Sequence, residues 1–280
     1  APETAKTEII EAFQSMSPAE EPPADPDLGE LWQPELAVRL HSEPEAETTE
    51  VSIISLRPFE SEDSRAERIA RMQEAVANQI VARRIEKRSK AADAPFSAGS
   101  ASSGDYLHFF EYANIDVTCR PEKWDASLAV AEQVLRQALD FGFNPAEVNE
   151  ATANLLNAYE EAAQRASTRK SRSLSSQIVD SLSSNEVFTS PAFDLELARE
   201  ALVDLSAEDV HAAFKRVWSA ENRFLFVSGN LELENPDEAI RAVYLASTEA
   251  PVEPTATLAP TAEPTAEPTA ELTDAPNEAP

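Results

Sequence analysis

The side chains able to do chemistry are few. Three histidines (His41, His108, His211) and one cysteine (Cys119) are spread over 280 residues. The segment His108-Phe-Phe-Glu111-Tyr112 stops one residue short of His-x-x-Glu-His. That motif binds zinc because a helix sets its histidines one turn apart on one face, with the glutamate close enough to activate a water. Here Tyr112 stands in place of the second histidine. The local pattern is also that of a strand, which would send His108 and Glu111 to opposite faces. The zinc reading is therefore rejected for this segment. His41 falls at a strand end, and His211, beside Val210 on a helix, reads as structural. Cys119 reads as a small buried hydrophobe on a strand. A single cysteine permits no internal disulfide; it fits a reducing compartment without excluding a periplasmic one. The chain has no Gly-rich phosphate loop and no Cys-x-x-Cys, and its Ser, His and Asp residues form no suggestive triad.

Net charge narrows the partners. The chain carries −28, and most of that excess lies at its ends. Residues 1–50 hold thirteen acids against Lys6 and Arg39, and residues 247–280 hold seven acids and no base. Nucleic acid would want clustered Lys and Arg, so it is not an expected partner. No run approaches the roughly 20 apolar residues of a membrane span. The one basic cluster singled out is Arg83, Arg84, Lys87 and Arg88, at the end of a long helix. It could hold an anion, but a solvated helix terminus that complements the dipole is the favoured reading.

The elements that must position these groups can be read in order. Residues 2–16 suggest a short helix with Ile9, Ile10 and Phe13 on one side, and the proline-dense stretch 17–34 a linker. A folded domain over 35–246 is expected next. Strands are predicted at Glu35–His41 and Thr48–Arg57, followed by a helix over Ser61–Arg88 with Ile69, Met72, Val76 and Ile80 as its buried stripe. Pro95–Ser103 reads as an irregular edge strand. Asp105–Arg120 reads as one long strand with Leu107, Phe109, Ala113, Ile115, Val117 and Cys119 on one face. Trp124–Tyr159 is a helical hairpin: Gly142 stops the first helix, Asn144 caps the second, Pro145 opens it, and Glu147 completes a capping box. Helices at Ser171–Ser184, Phe193–Leu205 and Ala207–Trp218 follow, then a strand at Arg223–Ser228 and a last helix from Pro236 to Leu245. Residues 247–280 include TAEPTAEPTAEL and are expected to be a disordered tail or inter-domain linker. Strands first and helices later, without β-α-β alternation, predict an α+β fold: a largely antiparallel sheet with helices on one face.

Three segments, in order, resemble the insulinase/pitrilysin family of zinc metallopeptidases. ALDFGFNPAEVNEATANLLNAYEEA (138–162) is similar to that family's helical hairpin, and NQIVARRIEKRSKAADAPFSAGSAS (78–102) to its long helix and following strand. DLSAEDVHAAFKRVWSAENRFLFVSGN (204–230) is similar to its closing segment. The resemblance covers roughly residues 35–245. In that family a catalytic domain carries His-x-x-Glu-His, and a homologous domain lacking the motif follows it. This chain has no such motif, so it resembles the second, non-catalytic domain. The resemblance implies a fragment of a longer chain, with residues 1–16 as the last helix of a preceding domain. It implies zinc in an upstream catalytic domain of the same parent chain and none here, and a peptide or unfolded protein as substrate. Some such domains send an Arg and a Tyr from beyond the long helix into the active site. The corresponding stretch here offers Arg84, Arg88 and Phe96 as candidates for substrate contact, and no residue gains a catalytic role. Two alternatives stand beside this: an inactive structural subunit of a multi-protein complex, and a tethered protein-binding module.

Overall fold

The computed structural model describes residues 2–16, 27–32, 34–60 and 62–255. Two compact units divide the chain, Ala1–Leu31 and Trp32–Pro280. In the first, helix α1 (Pro2–Phe13) leaves Ile9, Ile10 and Phe13 exposed. Much of the expected linker (17–26 and 33) and the TAEP tail (256–280) lie outside the described residues.

The second unit is built on one five-stranded sheet. Its strands are β1 (Leu36–Ser42), β2 (Thr49–Pro58), β3 (Phe96–Tyr106), β4 (Phe110–Cys119) and β5 (Arg223–Gly229), in spatial order β1-β5-β2-β4-β3. Only the β1–β5 pair is parallel. The first two strands are thus not neighbours, although they follow one another in sequence: β5 arrives from the far end of the chain and lies between them. Register puts Val51 opposite Val117 and Val227, and Ile53 opposite Ile115 and Leu225. All six are fully buried and belong to the core. The alternating partners Ile54, Phe224, Phe226, Tyr112 and Asp116 lie on the other, half-exposed face.

The helices complete the core on the first face. They are α2 (Arg65–Ser89), α3 (Trp124–Phe141), α4 (Pro145–Gln164), α5 (Ser171–Ser183), α6 (Pro191–Leu202), α7 (Ala207–Val217) and α8 (Pro236–Glu249), of which all but α5 supply side chains to the core. Helix α2 begins at Arg65, later than the predicted Ser61, because the Ser64 side chain accepts from the Glu67 amide and caps it. Met72, Val76 and Ile80 are buried as its apolar spacing requires. Asn144 with Glu147, and Ser206 with Asp209, both form reciprocal capping boxes. The fold is α+β, a mostly antiparallel sheet with helices packed on it.

One predicted element is corrected. Asp105–Arg120 is not a single strand: the chain reverses at Leu107 and His108, whose φ angles are 50° and 53°. The Phe109 amide donates to the Tyr106 carbonyl at 2.9 Å and closes the turn. Ala113, Ile115, Val117 and Cys119 do share a buried face, but Leu107 is 79% exposed at the tip. Alternation continues through the tip by coincidence of side-chain type. Tight hairpins are announced by Asn-Gly or Asp-Gly, and Leu-His carries no such signal.

Candidate functional site: an arginine-lined cleft

A cleft of about 740 Å³ lies between α2, α4, α5 and the segment 184–191. Four arginines line it: Arg68 and Arg71 one turn apart on α2, Arg165 at the end of α4, and Arg169 just beyond. Met72, Tyr159, Val187 and Phe188 supply its apolar walls.

Most of the charge is already paired. Arg68 donates to both carboxylate oxygens of Asp63, at 2.5 and 2.8 Å, and to the Val187 carbonyl at 2.8 Å. The Val187 amide in turn donates to Asp63 at 2.8 Å. This closed ring pins the segment after α5 to the start of α2. The Arg68 hydrogen bonds hold the Asp63 carboxyl below its usual range, against the opposing effect of its burial. Arg71 pairs with Glu186 at 3.0 Å, and Arg165 with Glu161 at 2.7 Å. Arg169 is different. Its contacts are two neutral oxygens, Ala166 O and Gln177 Oε1, both at 3.4 Å. Burial, and then Asp194, push the Tyr159 phenol above its ordinary value. No histidine or cysteine lines the cleft to activate a hydroxyl. The arrangement offers apolar contact and pairing with an anion.

A second polar network ties α2 to α7 and the sheet. Glu74, buried on α2, accepts from Arg216 at 2.5 Å. Burial pushes its carboxyl up, and Arg216 partly offsets that. Arg57 pairs with Glu111 across β2 and β4 and donates to the Arg216 carbonyl at 2.8 Å. These groups hold elements together.

The residues singled out from sequence fall in different places. The Arg84 guanidinium is 7% exposed and donates to Glu147 through Nε at 2.9 Å and Nη2 at 2.7 Å. It also donates to the Gly142 carbonyl at 2.9 Å and lies 5.0 Å over the Phe143 ring. Arg83 pairs with Glu150 at 2.6 Å. The basic end of α2 therefore docks the hairpin α3–α4 through the acids of α4, partners that the sequence reading did not supply. Phe96 is 3% exposed, inside the core. Arg88 is half-buried, its pKa lowered by burial and by Arg84. His108 stacks on Phe59 at 4.6 Å in the turn, and Glu111 is engaged by Arg57. His211 contacts the Leu139 carbonyl at 2.8 Å through Nε2, and His41 is exposed in β1. Cys119 is buried, and burial raises its thiol pKa. Among the described residues no three His, Cys, Asp or Glu side chains converge as a zinc ion would require.

No protein-family model matches this sequence, and no curated protein sequence matches it either. Solved structures do match. The first half of the periplasmic protease PqqL from Escherichia coli superposes with a TM-score of 0.76 at 15% identity, over 92% of this chain and 56% of that one. The fold is shared with that half of PqqL. A predicted insulinase family protease from Yersinia pestis gives 0.72 at 15% identity, over 88% of this chain and 53% of its own. A peptidase M16 inactive domain from Pseudomonas fluorescens gives 0.59 at 14% identity, over 84% and 52%. This chain spans about half the length of these insulinase-fold proteins and 31% of intact PqqL.

Proposed function

We propose that this chain serves as the non-catalytic domain of a zinc-dependent metalloendopeptidase, forming part of the chamber that holds a peptide for a catalytic domain elsewhere in the parent protein. The observation that carries this reading is the insulinase-type fold, shared with a domain described as inactive, in a sequence without His-x-x-Glu-His. A cleft whose arginines and apolar walls offer pairing and contact supports a holding role. In this reading the zinc belongs to the upstream domain, where it would polarise the scissile carbonyl and activate water. The domain described here supplies shape, exclusion of solvent and contacts to the peptide.

Metal analysis tests this directly. The intact parent protein is expected to hold about one zinc per chain and to lose peptide-cleaving activity on chelation, whereas the 280-residue chain alone binds none. A parent without zinc or peptidase activity would leave a structural role in place of this one. Stoichiometric zinc in the isolated chain would overturn the assignment of the metal to another domain.

A further inference from the structure

Helix α5 is turned inside out for a helix that serves only its own domain. Its polar residues Gln177, Asp180, Ser181 and Ser184, just past its end, look into the cleft, and Ser181 and Ser184 are half-buried there. Arg172, Ser175, Val179 and Leu182 recur at i, i+3, i+7 and i+10, which is one helical face, and all four are exposed. Val179 is 58% and Leu182 75% exposed, with Ile178 beside them. None of the thirteen residues of α5 is buried. A helix of this length is marginal in water without a packed face.

The charge around it is equally unusual for this protein. Residues 162–179 contain Arg165, Arg169, Lys170 and Arg172 and no acid, in a chain of net charge −28. Lys170 stands at the N-cap of α5 without a capping side-chain bond, and no acid lies in the first turn. Bases at a helix N-terminus oppose the dipole. Among the described residues, neither Lys170 nor Arg172 forms an ion pair.

We propose that the outward face of α5 docks an amphipathic helix from outside this chain, one whose apolar stripe is bordered by Asp or Glu. Ile178, Val179 and Leu182 form the seam; Arg172 and Lys170 meet the carboxylates. The partner offsets both anomalies at once, covering the apolar stripe and neutralising the basic N-terminus. An anionic membrane fits less well. The stripe is three side chains over little more than one turn, too little area for a stable interfacial anchor, and the rest of the chain is strongly acidic. The inference does not depend on the activity of the parent protein.

The test uses the full 280-residue chain and fluorescein-labelled synthetic helices of about eighteen residues, with a leucine stripe flanked either by Glu or by Lys. Fluorescence anisotropy is expected to show the Glu peptide binding about tenfold more tightly than the Lys peptide, with the advantage shrinking as salt is raised. The double variant V179D/L182D should weaken binding about tenfold or more. The charge reversal Arg172→Glu should shift the preference toward the Lys peptide. All three positions are exposed, so circular dichroism should be unchanged in each variant. The proposal is overturned if neither peptide binds, if both bind alike, or if V179D/L182D has no effect. Capture by vesicles containing about one-third phosphatidylserine, without binding of the Glu peptide, would also overturn it and make α5 a membrane contact.

Discussion

Asp63 and Arg84 do the same kind of work at opposite ends of α2. Each belongs to a carboxylate–guanidinium pair that also takes up backbone groups of a neighbouring segment. Arg84 binds Glu147 and the Gly142 carbonyl, and Asp63 binds Arg68 and the Val187 amide. Removing one partner leaves the other charge poorly solvated, so such pairs show their worth mainly when broken. Asp63 also makes stability depend on pH, with a definite sign. Its carboxyl is held below the ordinary 3.8, chiefly by the Arg68 hydrogen bonds. The stability it contributes is complete above 3.8 and is lost as pH falls through the depressed value. Asp63→Asn should therefore lower unfolding stability by about 1–2 kcal/mol at neutral pH. The gap to wild type should narrow as pH falls through the depressed value, where wild-type Asp63 takes up its proton. Urea midpoints measured for both proteins across that range check it; a constant gap would mean that shape rather than charge holds the 186–189 segment.

At the scale of elements, legibility followed the strength of local signals. The hairpin α3–α4 was readable because Gly142, Asn144, Pro145 and Glu147 each have a specific geometric job within a few residues. The β3–β4 turn was not, because Leu107 and His108 adopt positive φ without any residue that announces it. Helix α5 was visible as a periodic segment, but the period does not say which face meets the domain. The cleft itself was illegible: Arg68 and Arg71 lie far in sequence from Arg165 and Arg169, and the two pairs converge only when α2, α4 and the segment after it are assembled. Arg84, Arg88 and Phe96 were raised by resemblance and the Arg83–Arg88 cluster by local charge, and neither reveals that Glu147 and Glu150 await Arg84 and Arg83. Gly142 shows how local and tertiary demands coincide. Its φ of 67° favours glycine, and a Cβ there would sit 2.8 Å from His211 Cγ on α7. Gly142→Ala should cost about 1–3 kcal/mol in denaturant unfolding. If the contact with His211 is part of that cost, G142A/H211A should be less destabilised than the two single variants summed, whereas simple additivity would assign the whole effect to backbone conformation.

For the molecule as a whole, the decisive step is the return of the chain to its own beginning. Strand β1 pairs only with β5 in the sheet, and β5 also separates it from β2. Around this seam the Ser42 hydroxyl donates to the Leu231 carbonyl across 189 residues, and Arg241 donates to the Leu36 carbonyl. Leu225, Val227 and Ile240, all fully buried, come from the same closing segment, as does Leu231 at 7% exposure. Burying each such side chain contributes about 1.5–3 kcal/mol. Together they approach the roughly 5–15 kcal/mol that stabilises a typical domain. The sheet is therefore an all-or-none object that cannot close until residues 223–240 are present. A chain ending at Ser219 should lack a cooperative urea transition and a defined near-ultraviolet circular dichroism signal, while the full chain shows both. During synthesis β1 and one edge of β2 would then stay unpaired until residues 223–229 emerge, an interval in which exposed strand edges invite aggregation. A sigmoidal transition in the shortened chain would show instead that β2, β3, β4 and the early helices form a self-sufficient core, to which β1 and β5 are added afterwards.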